Sequence, residues 1–361
     1  MIRRTRLTGA ARAAWLFAAA CTAVSGTQPA AGQQQARPDW LYVCNQDGAS
    51  VSIIDLSRLE VVQTIRLQDL GFTGNAKPHH IAVEDDGSAW YVTLIGENRI
   101  LKLDRRNRVI GQAEFETPGL LALQSPGDRL YVGRSMSAVN PPRRIGVIRR
   151  ADMRIDEIDI LFPQPHMLDI RPAGDFVYSA SLGVSQMASV AAASDRVELI
   201  VLDGPNHALA HSAMSPDGRT LVVTPHMPHL MIFDLTDPAK PRPAGTIDTG
   251  EMPWHPVFTP DGRFVYVPNQ GSNDVSVVDM QTRSVVTTIR HAALAQPYGS
   301  AISPDGRWVF ISNNNTKGAW AGTSGTPGAT GNVVVIDTRT NQVAKVIEVG
   351  KGPTGLGMRR P

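Results

Sequence analysis

Nine histidines carry most of the chemistry that this 361-residue chain could perform. Neutral imidazole nitrogens are good ligands for copper, zinc and iron, so convergent histidines can hold a late first-row transition metal without help from a carboxylate. Spacing alone does not show convergence, because His207 and His211, or His226 and His229, would share a face only on a helix. Whether the histidines converge therefore depends on the elements that position them.

Those elements are predicted by a motif that recurs along the chain. It reads Ser215-Pro216-Asp217-Gly218-Arg219 and returns as residues 259–263 and 303–307, about 44 residues apart, which is a period typical of propeller blades. Each unit contains four segments of alternating apolar and polar residues separated by turns, here called strands A to D from the channel outward. Seven such units predict an all-β, seven-bladed β-propeller of four-stranded blades.

The chain begins this pattern with strand B near Leu41 and ends it with strand A near Leu356. Pairing of that last strand A with the N-terminal strands B, C and D would complete one blade, close the ring and remove exposed sheet edges. The predicted propeller therefore occupies residues 39–361 as a single domain.

The topology assigns every histidine to the same face of the disc, which carries the B–C loops and the D–A connections. His80, His211 and His255 occupy the third position of strand A, and His79 and His166 lie one residue earlier. Because the innermost strands line the channel, these imidazoles are expected at its mouth. His80, His211 and His255 are the first predicted metal ligands, with His79, His166, His226 and His229 as additional or supporting ligands and His291 as a bystander.

The repeat resembles the YVTN or YncE-type seven-bladed propeller family. Residues 257–289 carry the resemblance most clearly, with Thr259-Pro260-Asp261-Gly262 followed by Phe264-Val265-Tyr266-Val267 and Val275-Ser276-Val277-Val278-Asp279. The channel histidines are also similar to those of nitrous oxide reductase and of the d-type-haem nitrite reductase propellers. These resemblances imply a copper cluster or a haem. The residues themselves predict a transition metal, with copper favoured by the histidine-only ligands and by export to an oxidising compartment, and with iron or zinc as alternatives.

Several functions remain open at this point. A periplasmic oxidoreductase would need a small-molecule substrate and an external electron-transfer protein, since the chain has no Cys-x-x-Cys-His motif. The alternatives are a non-enzymatic YncE-like scaffold or cofactor-escort protein, and a lactonase-like hydrolase or lyase, although the strand A entries contain no carboxylate for calcium. Trp254 and Tyr298 flank strand A entries and are predicted to wall a cofactor pocket.

The N-terminal residues predict export. Four arginines precede an apolar stretch from Ala13 to Val24, and Ala30-Ala31-Gly32 offers a cleavage site, so residues 1–32 are interpreted as a signal peptide and residues 33–38 as a linker. The mature protein is then periplasmic or secreted and contains no transmembrane helix. Cys21 is an alternative site of lipid attachment.

The remaining features add limits and candidates. A formal charge of +2 without interleaved basic and aromatic patches favours no nucleic-acid partner. Cys44 ends a strand B and is interpreted as a buried small residue, with a thiol ligand as the alternative. The Gly- and Thr-rich residues 313–332 predict either a lid or a disordered loop, and Arg99 and Arg134 are candidate anion-binding residues.

Overall fold

The computed structural model describes residues 39–359, and these residues form an all-β ring of seven four-stranded antiparallel sheets. The predicted seven-bladed propeller is thus confirmed. The signal peptide, the linker and the lipid-attachment site predicted within residues 1–38 lie outside the described residues. Within residues 39–359, no helix is long and apolar enough to span a membrane.

The strands follow one order in every blade, from the innermost strand A to the outermost strand D. The innermost strands are β4 (Pro78–Val83), β8 (Pro118–Leu123), β12 (Pro165–Ile170), β16 (Leu209–Met214), β20 (Val257–Phe258), β24 (Pro297–Ile302) and β28 (Pro353–Gly357). The second strands are β1 (Trp40–Asn45), β5 (Ala89–Leu94), β9 (Arg129–Arg134), β13 (Phe176–Ser181), β17 (Thr220–Pro225), β21 (Phe264–Asn269) and β25 (Trp308–Asn313).

The outer half of each blade is built from the next two strands along the chain. The third strands are β2 (Ser50–Asp55), β6 (Arg99–Asp104), β10 (Arg144–Arg149), β14 (Gln186–Ala191), β18 (His229–Asp234), β22 (Asp274–Asp279) and β26 (Gly331–Asp337). The outermost strands are β3 (Glu60–Arg66), β7 (Val109–Glu114), β11 (Ile155–Asp159), β15 (Arg196–Val201), β19 (Arg242–Asp248), β23 (Ser284–Arg290) and β27 (Gln342–Val349). Two short 3₁₀ helices lie at Leu67–Leu70 and Ile95–Glu97.

The ring closes as the strand order predicts. Strand β28 pairs antiparallel with β1, with Leu356 opposite Val43 and Pro353 opposite Asn45. It also contacts the neighbouring innermost strands β4 and β24, so the seven A strands form an unbroken circle around the channel. The first and last described segments therefore belong to one blade, and β1 has no free edge.

Burial falls from the inner strands to the outer strands. Strands A, B and C are buried between neighbouring blades, where residues such as Leu41, Val265 and Phe310 have no exposed surface, whereas strands D are mostly exposed. The Asp-Gly turns lie between A and B, where Ser215 and Ser303 donate hydrogen bonds of 2.6 and 2.5 Å to Asp217 and Asp305. Packing between blades and repeated turns thus stabilise the ring.

Candidate functional site

A repeated bend places two residues of each blade at the same mouth of the channel. A residue on the approach to strand A has a left-handed backbone in all seven blades, with φ between 47° and 62°. It directly precedes the strand in six blades, whereas in the blade of β20 it is Met252, five positions before Val257. Proline follows it in six blades, and Leu209 follows it in the seventh. Because the proline fixes φ near −65°, the bend turns the next two residues across the mouth. Those two residues are referred to below as the entry pair.

The entry pairs bring five histidines together. In chain order, the seven entry pairs are His79-His80, Gly119-Leu120, His166-Met167, Ala210-His211, Trp254-His255, Tyr298-Gly299 and Thr354-Gly355. In the second blade the register between β4 and β5 shifts between Pro78 and Ile81, and similar shifts occur at His166 and before His211. Such bulges redirect side chains out of the regular ladder, and here they sit where the imidazoles leave the sheet.

The five imidazoles meet on the channel axis and are called the histidine cluster: His79, His80, His166, His211 and His255. The ring centroids of His211 and His255 are 3.6 Å apart, those of His166 and His211 are 5.3 Å apart, and those of His80 and His255 are 5.8 Å apart. His80 and His255 belong to the second and sixth blades, which are not neighbours, so this contact spans the channel. The cluster therefore reaches across the mouth.

Two aromatic rings complete the site on one side. Trp254 and Tyr298 stack with centroids 4.5 Å apart, and Trp254 also lies 4.7 Å from His211. Tyr298 lies 5.4 Å from His255 and 6.3 Å from His79. Both rings are nearly buried, so they shield the imidazoles from water. Both rings lie beside the cluster, and their role as the wall of a cofactor pocket stays a prediction.

The hydrogen bonds of the cluster determine which nitrogens are free. His79 Nδ1 lies 2.8 Å from Gln46 Oε1, and His166 Nδ1 lies 2.8 Å from the carbonyl oxygen of Arg134. Both partners are acceptors, so each Nδ1 carries the proton and each Nε2 carries a lone pair. Nε2 of His79, His166 and His255 and both ring nitrogens of His211 are buried without a hydrogen-bond partner.

His80 has the opposite arrangement. Its Nδ1 accepts a hydrogen bond of 3.2 Å from the backbone N–H of Leu121, so in the neutral ring Nε2 carries the proton. Thr93 fixes the same bulge by accepting a 3.0 Å hydrogen bond from the His80 N–H. The described structure therefore presents His80 as a donor toward the channel.

Burial keeps the cluster neutral. Loss of hydration, followed by the influence of neighbouring histidines, lowers the pKa of His79 to about 3 and those of His80 and His166 to about 4. The pKa values of His211 and His255 lie well below the usual value, again through burial first and neighbouring imidazoles second. No carboxylate contributes to these shifts, so the site offers neutral nitrogen ligands at neutral pH.

The other predicted residues lie outside this cluster. His226 is exposed, although its ring centroid lies 5.7 Å from that of Trp254, and His229 opens strand β18 near His207. His291 is exposed, and its Nδ1 accepts a hydrogen bond from the N–H of Ala293. Within residues 39–359, no three His, Cys, Asp or Glu side chains are arranged to hold a metal ion. The predicted ligand set is therefore brought together in part, without a preformed coordination geometry.

The two arginines predicted as anion-binding residues are already paired. The Arg134 side chain is 2% exposed, lies 3.8 Å from the Phe115 ring and donates a 2.7 Å hydrogen bond to the carbonyl of Glu116. Arg99 forms a 3.1 Å ion pair with Glu114. Sequence patterns missed that Arg134 acts through its backbone, because a carbonyl that accepts from His166 leaves no trace in side-chain identity.

Two other predicted features are resolved by burial and hydrogen bonding. Cys44 is fully buried and burial raises its pKa, so it packs as a small apolar residue rather than as a thiol ligand. The long loop after β25 is ordered, because Asn315 Nδ2 donates hydrogen bonds to the carbonyls of Trp320 and Thr330. Trp320 packs against the apolar residues between the sixth and seventh blades. The loop is thus tied to the blades rather than disordered.

Close backbone approach around the cluster makes one glycine critical. A Cβ at Gly355 would lie 2.3 Å from the carbonyl oxygen of His79, which is far inside van der Waals contact. We expect Gly355→Ala to lower the free energy of unfolding by about 2–3 kcal/mol, measured by urea denaturation. Gly74→Ala is the control, because its nearest neighbour would be the Gln68 side chain at 3.6 Å. Equal stabilities of the two variants would contradict the tight packing of β28 against β4.

Comparison with known proteins identifies the fold and no family. No protein-family model and no curated protein matches the chain significantly. A functionally unknown protein from Desulfotomaculum acetoxidans has a similar structure, with a TM-score of 0.73, 15% identity, and coverage of 90% of this chain and 99% of that one. The YVTN or YncE-type assignment therefore stays a resemblance.

Two further similar structures have the same level of identity. Hydrazine synthase from Kuenenia stuttgartiensis has a TM-score of 0.62 and 18% identity over 77% of this chain and 88% of its own. The dihydro-haem d1 dehydrogenase NirN, solved in complex with DHE, has a TM-score of 0.62 and 15% identity over 91% of this chain and 77% of its own. At such identities the likeness extends to the propeller fold alone.

Proposed function

We propose that the protein is an exported propeller that binds a single transition-metal ion, with copper favoured, at the histidine cluster. The observation that carries this proposal is the set of buried, unpartnered imidazole nitrogens. A buried polar atom without a hydrogen bond costs free energy, and several such atoms at one point need a common electrophile or donor. A late first-row ion supplies one, since neutral imidazole is among its preferred ligands.

The hydrogen bonds select the ligands within the cluster. His79 and His166 have Nδ1 occupied by acceptors, which orients Nε2 as a ligand in the manner usual for metal-bound histidine. His211 and His255 add further free nitrogens at the centre. His80 is less suited because its Nδ1 already accepts from Leu121. The proposed ligands are therefore drawn from His79, His166, His211 and His255.

Binding must rearrange the cluster. The rings of His211 and His255 are too closely packed to coordinate an ion between them as they stand, with centroids 3.6 Å apart and planes inclined by 33°. Rotation about the side-chain bonds would separate the rings, and the stacked Trp254 and Tyr298 would report the change. A near-ultraviolet circular dichroism signal that changes with metal is expected for this reason.

A single ion fits the site better than a haem. The cavity beside His79 has a volume of about 270 Å³. Pockets for cofactor-sized ligands usually have volumes of roughly 300–1,000 Å³. Chemistry at a bound copper would supply one-electron transfer, and the chain's own residues would hold the ion, exclude water and keep the ligands neutral. We propose binding and leave turnover to follow from a demonstrated substrate.

The proposal is tested by metal content and affinity in protein purified without a histidine tag. We expect near-stoichiometric copper by elemental analysis after reconstitution. His79→Ala, His166→Ala, His211→Ala and His255→Ala should each weaken binding at least 100-fold, and Gln46→Ala should weaken it roughly 10- to 100-fold through loss of the His79 partner. His291→Ala is the control and should bind as wild type. Wild-type affinity in all four cluster variants would overturn the proposal.

A binding scaffold without metal is the competing function. It is favoured by the lack of a preformed coordination geometry within residues 39–359. Wild-type protein that stays free of copper, zinc and iron after reconstitution would support it.

A further inference from the structure

A second feature of the same mouth is a cavity of about 270 Å³ that opens beside His79. Its polar lining and its aromatic wall come from the B–C loops of the first three blades and from two strand A entries. The residues concerned are Gln46, Lys77, His79, Ser135, Ser137 and Tyr298. The entry pairs Gly119-Leu120 and Thr354-Gly355 carry no imidazole, so the cluster leaves room on this side of the axis.

The charges facing the cavity have one sign. Lys77 is the residue of this lining that carries a full positive charge, and no carboxylate takes part in the lining. Within residues 39–359 the Lys77 side chain makes no hydrogen bond or ion pair, while its backbone carbonyl accepts a hydrogen bond from the N–H of Ile95. Its backbone holds the left-handed conformation, with φ of 51°, that begins the bend before β4. Lys77 is thus fixed at the rim, two residues from a histidine whose Nε2 is free.

The remaining lining combines hydroxyl donors with an apolar wall. Ser135 Oγ and Ser137 Oγ are hydrogen-bonded to each other at 3.0 Å, which leaves one of the two hydroxyl protons free to donate to a ligand. Ile95, Met136 and Tyr298 supply apolar surface. A volume of about 270 Å³ is sufficient for a small organic molecule. An acceptor-only head with a short carbon chain matches this lining.

The geometry points to a binding site for a small organic carboxylate in this cavity. The carboxylate lies against the Lys77 ammonium and the serine hydroxyls, and its carbon chain lies against Tyr298, next to His79. This inference rests on the proposed function in one respect, because it gives the metal site its substrate or co-ligand class. The carboxylate-binding residues are otherwise separate from the proposed metal ligands.

Isothermal titration of metal-free, chelator-treated protein with acetate and lactate tests the site. We expect saturable binding of lactate, with Lys77→Met lowering its affinity at least tenfold and Lys77→Arg retaining it within threefold. Lys317→Met is the matched control, since Lys317 lines a different cavity near the seventh blade. Thermal unfolding of each variant establishes that the fold is intact.

The outcomes separate this site from the metal site. Lactate binding that depends on Lys77 supports the inference even where the protein takes up no metal. Equal binding of wild type and Lys77→Met overturns it, as does preference for nitrate or nitrite over both carboxylates, and neither result bears on copper affinity. Copper binding without any carboxylate binding overturns the inference alone.

Discussion

Metal-free protein is expected to lose several kcal/mol of folding stability between pH 7 and pH 5. The unfolded chain binds protons at its histidines near pH 6.5, whereas in the folded state burial keeps His79, His80 and His166 neutral down to about pH 3 to 4. Their folded pKa values are depressed, so the stabilisation is complete above pH 6.5. It is lost progressively as the pH falls toward the folded values.

The slope of the unfolding free energy against pH measures how many imidazoles are buried and neutral in the folded protein. Each one contributes up to about 1.4 kcal/mol per pH unit, since one proton is bound by the unfolded state and none by the native state. Urea denaturation from pH 7.5 to 5.0 in the presence of chelator measures it. The range from pH 7.5 to 5.0 lies above the pH at which carboxylates such as Asp152 and Asp337 titrate. Their pKa values are about 2, so the stability that they contribute would be lost only at lower pH.

Replacement of two central imidazoles provides the control for this experiment. The double variant His211→Leu, His255→Leu should show a slope smaller by up to two protons, with no change for His291→Ala. An unchanged slope in the double variant would mean that these rings are hydrated or protonated in the folded protein, contrary to their burial. Copper should raise the whole curve by binding the native state and leave its slope unchanged, because the native imidazoles carry no protons in this pH range with or without the metal.

Deletion of residues 353–361 is expected to abolish cooperative folding. The deletion removes β28, whose five residues are buried, and leaves β1 without its inner partner and β4 and β24 without their neighbour. The loss of Leu356 and its neighbours should cost about 5 kcal/mol or more, because single large-to-small changes in a core already cost 2–5 kcal/mol. The free edge of β1 should also promote association.

A circular permutant separates the loss of the strand from the loss of chain order. Moving Pro353–Arg359 ahead of Asp39 through a short linker keeps all four strands of the first blade in one continuous segment. Its thermal midpoint should return to within a few degrees of wild type, whereas the deletion variant should show no cooperative transition. A deletion variant that melts like wild type would show that β28 does not close the ring.

The fold was predictable because it depends on local signals that repeat. Asp-Gly turns recur in four units, and strand segments like Phe264–Asn269 recur in all seven, so an error in one blade is corrected by the others. Closure of the ring was predictable because the strand pattern begins with a strand B and ends with a strand A. The placement of the histidines at one mouth followed in turn, because strand position assigns each residue to a side of the disc.

The details of the site depend on information that is not local. That His80 meets His255 across the channel depends on side-chain reach between blades far apart in sequence. The role of His80 as a donor depends on the backbone of Leu121 in another blade, and that of His166 depends on the carbonyl of Arg134. Lys77 was missed because its importance lies in a backbone angle and a cavity, which a lone lysine in sequence does not reveal.

The left-handed bend before each innermost strand also separates the residues that fold the blade from the residues that face the channel mouth. The bend, the proline and the turns fold each blade, while the entry pair that follows lies at the mouth. Positions on this rim can thus be reassigned blade by blade, except where an apolar residue such as Leu120 or Met167 packs between blades or where a glycine is required by a neighbouring carbonyl. New coordination sites could therefore be engineered on this propeller by exchanging the two entry-pair residues of one blade at a time.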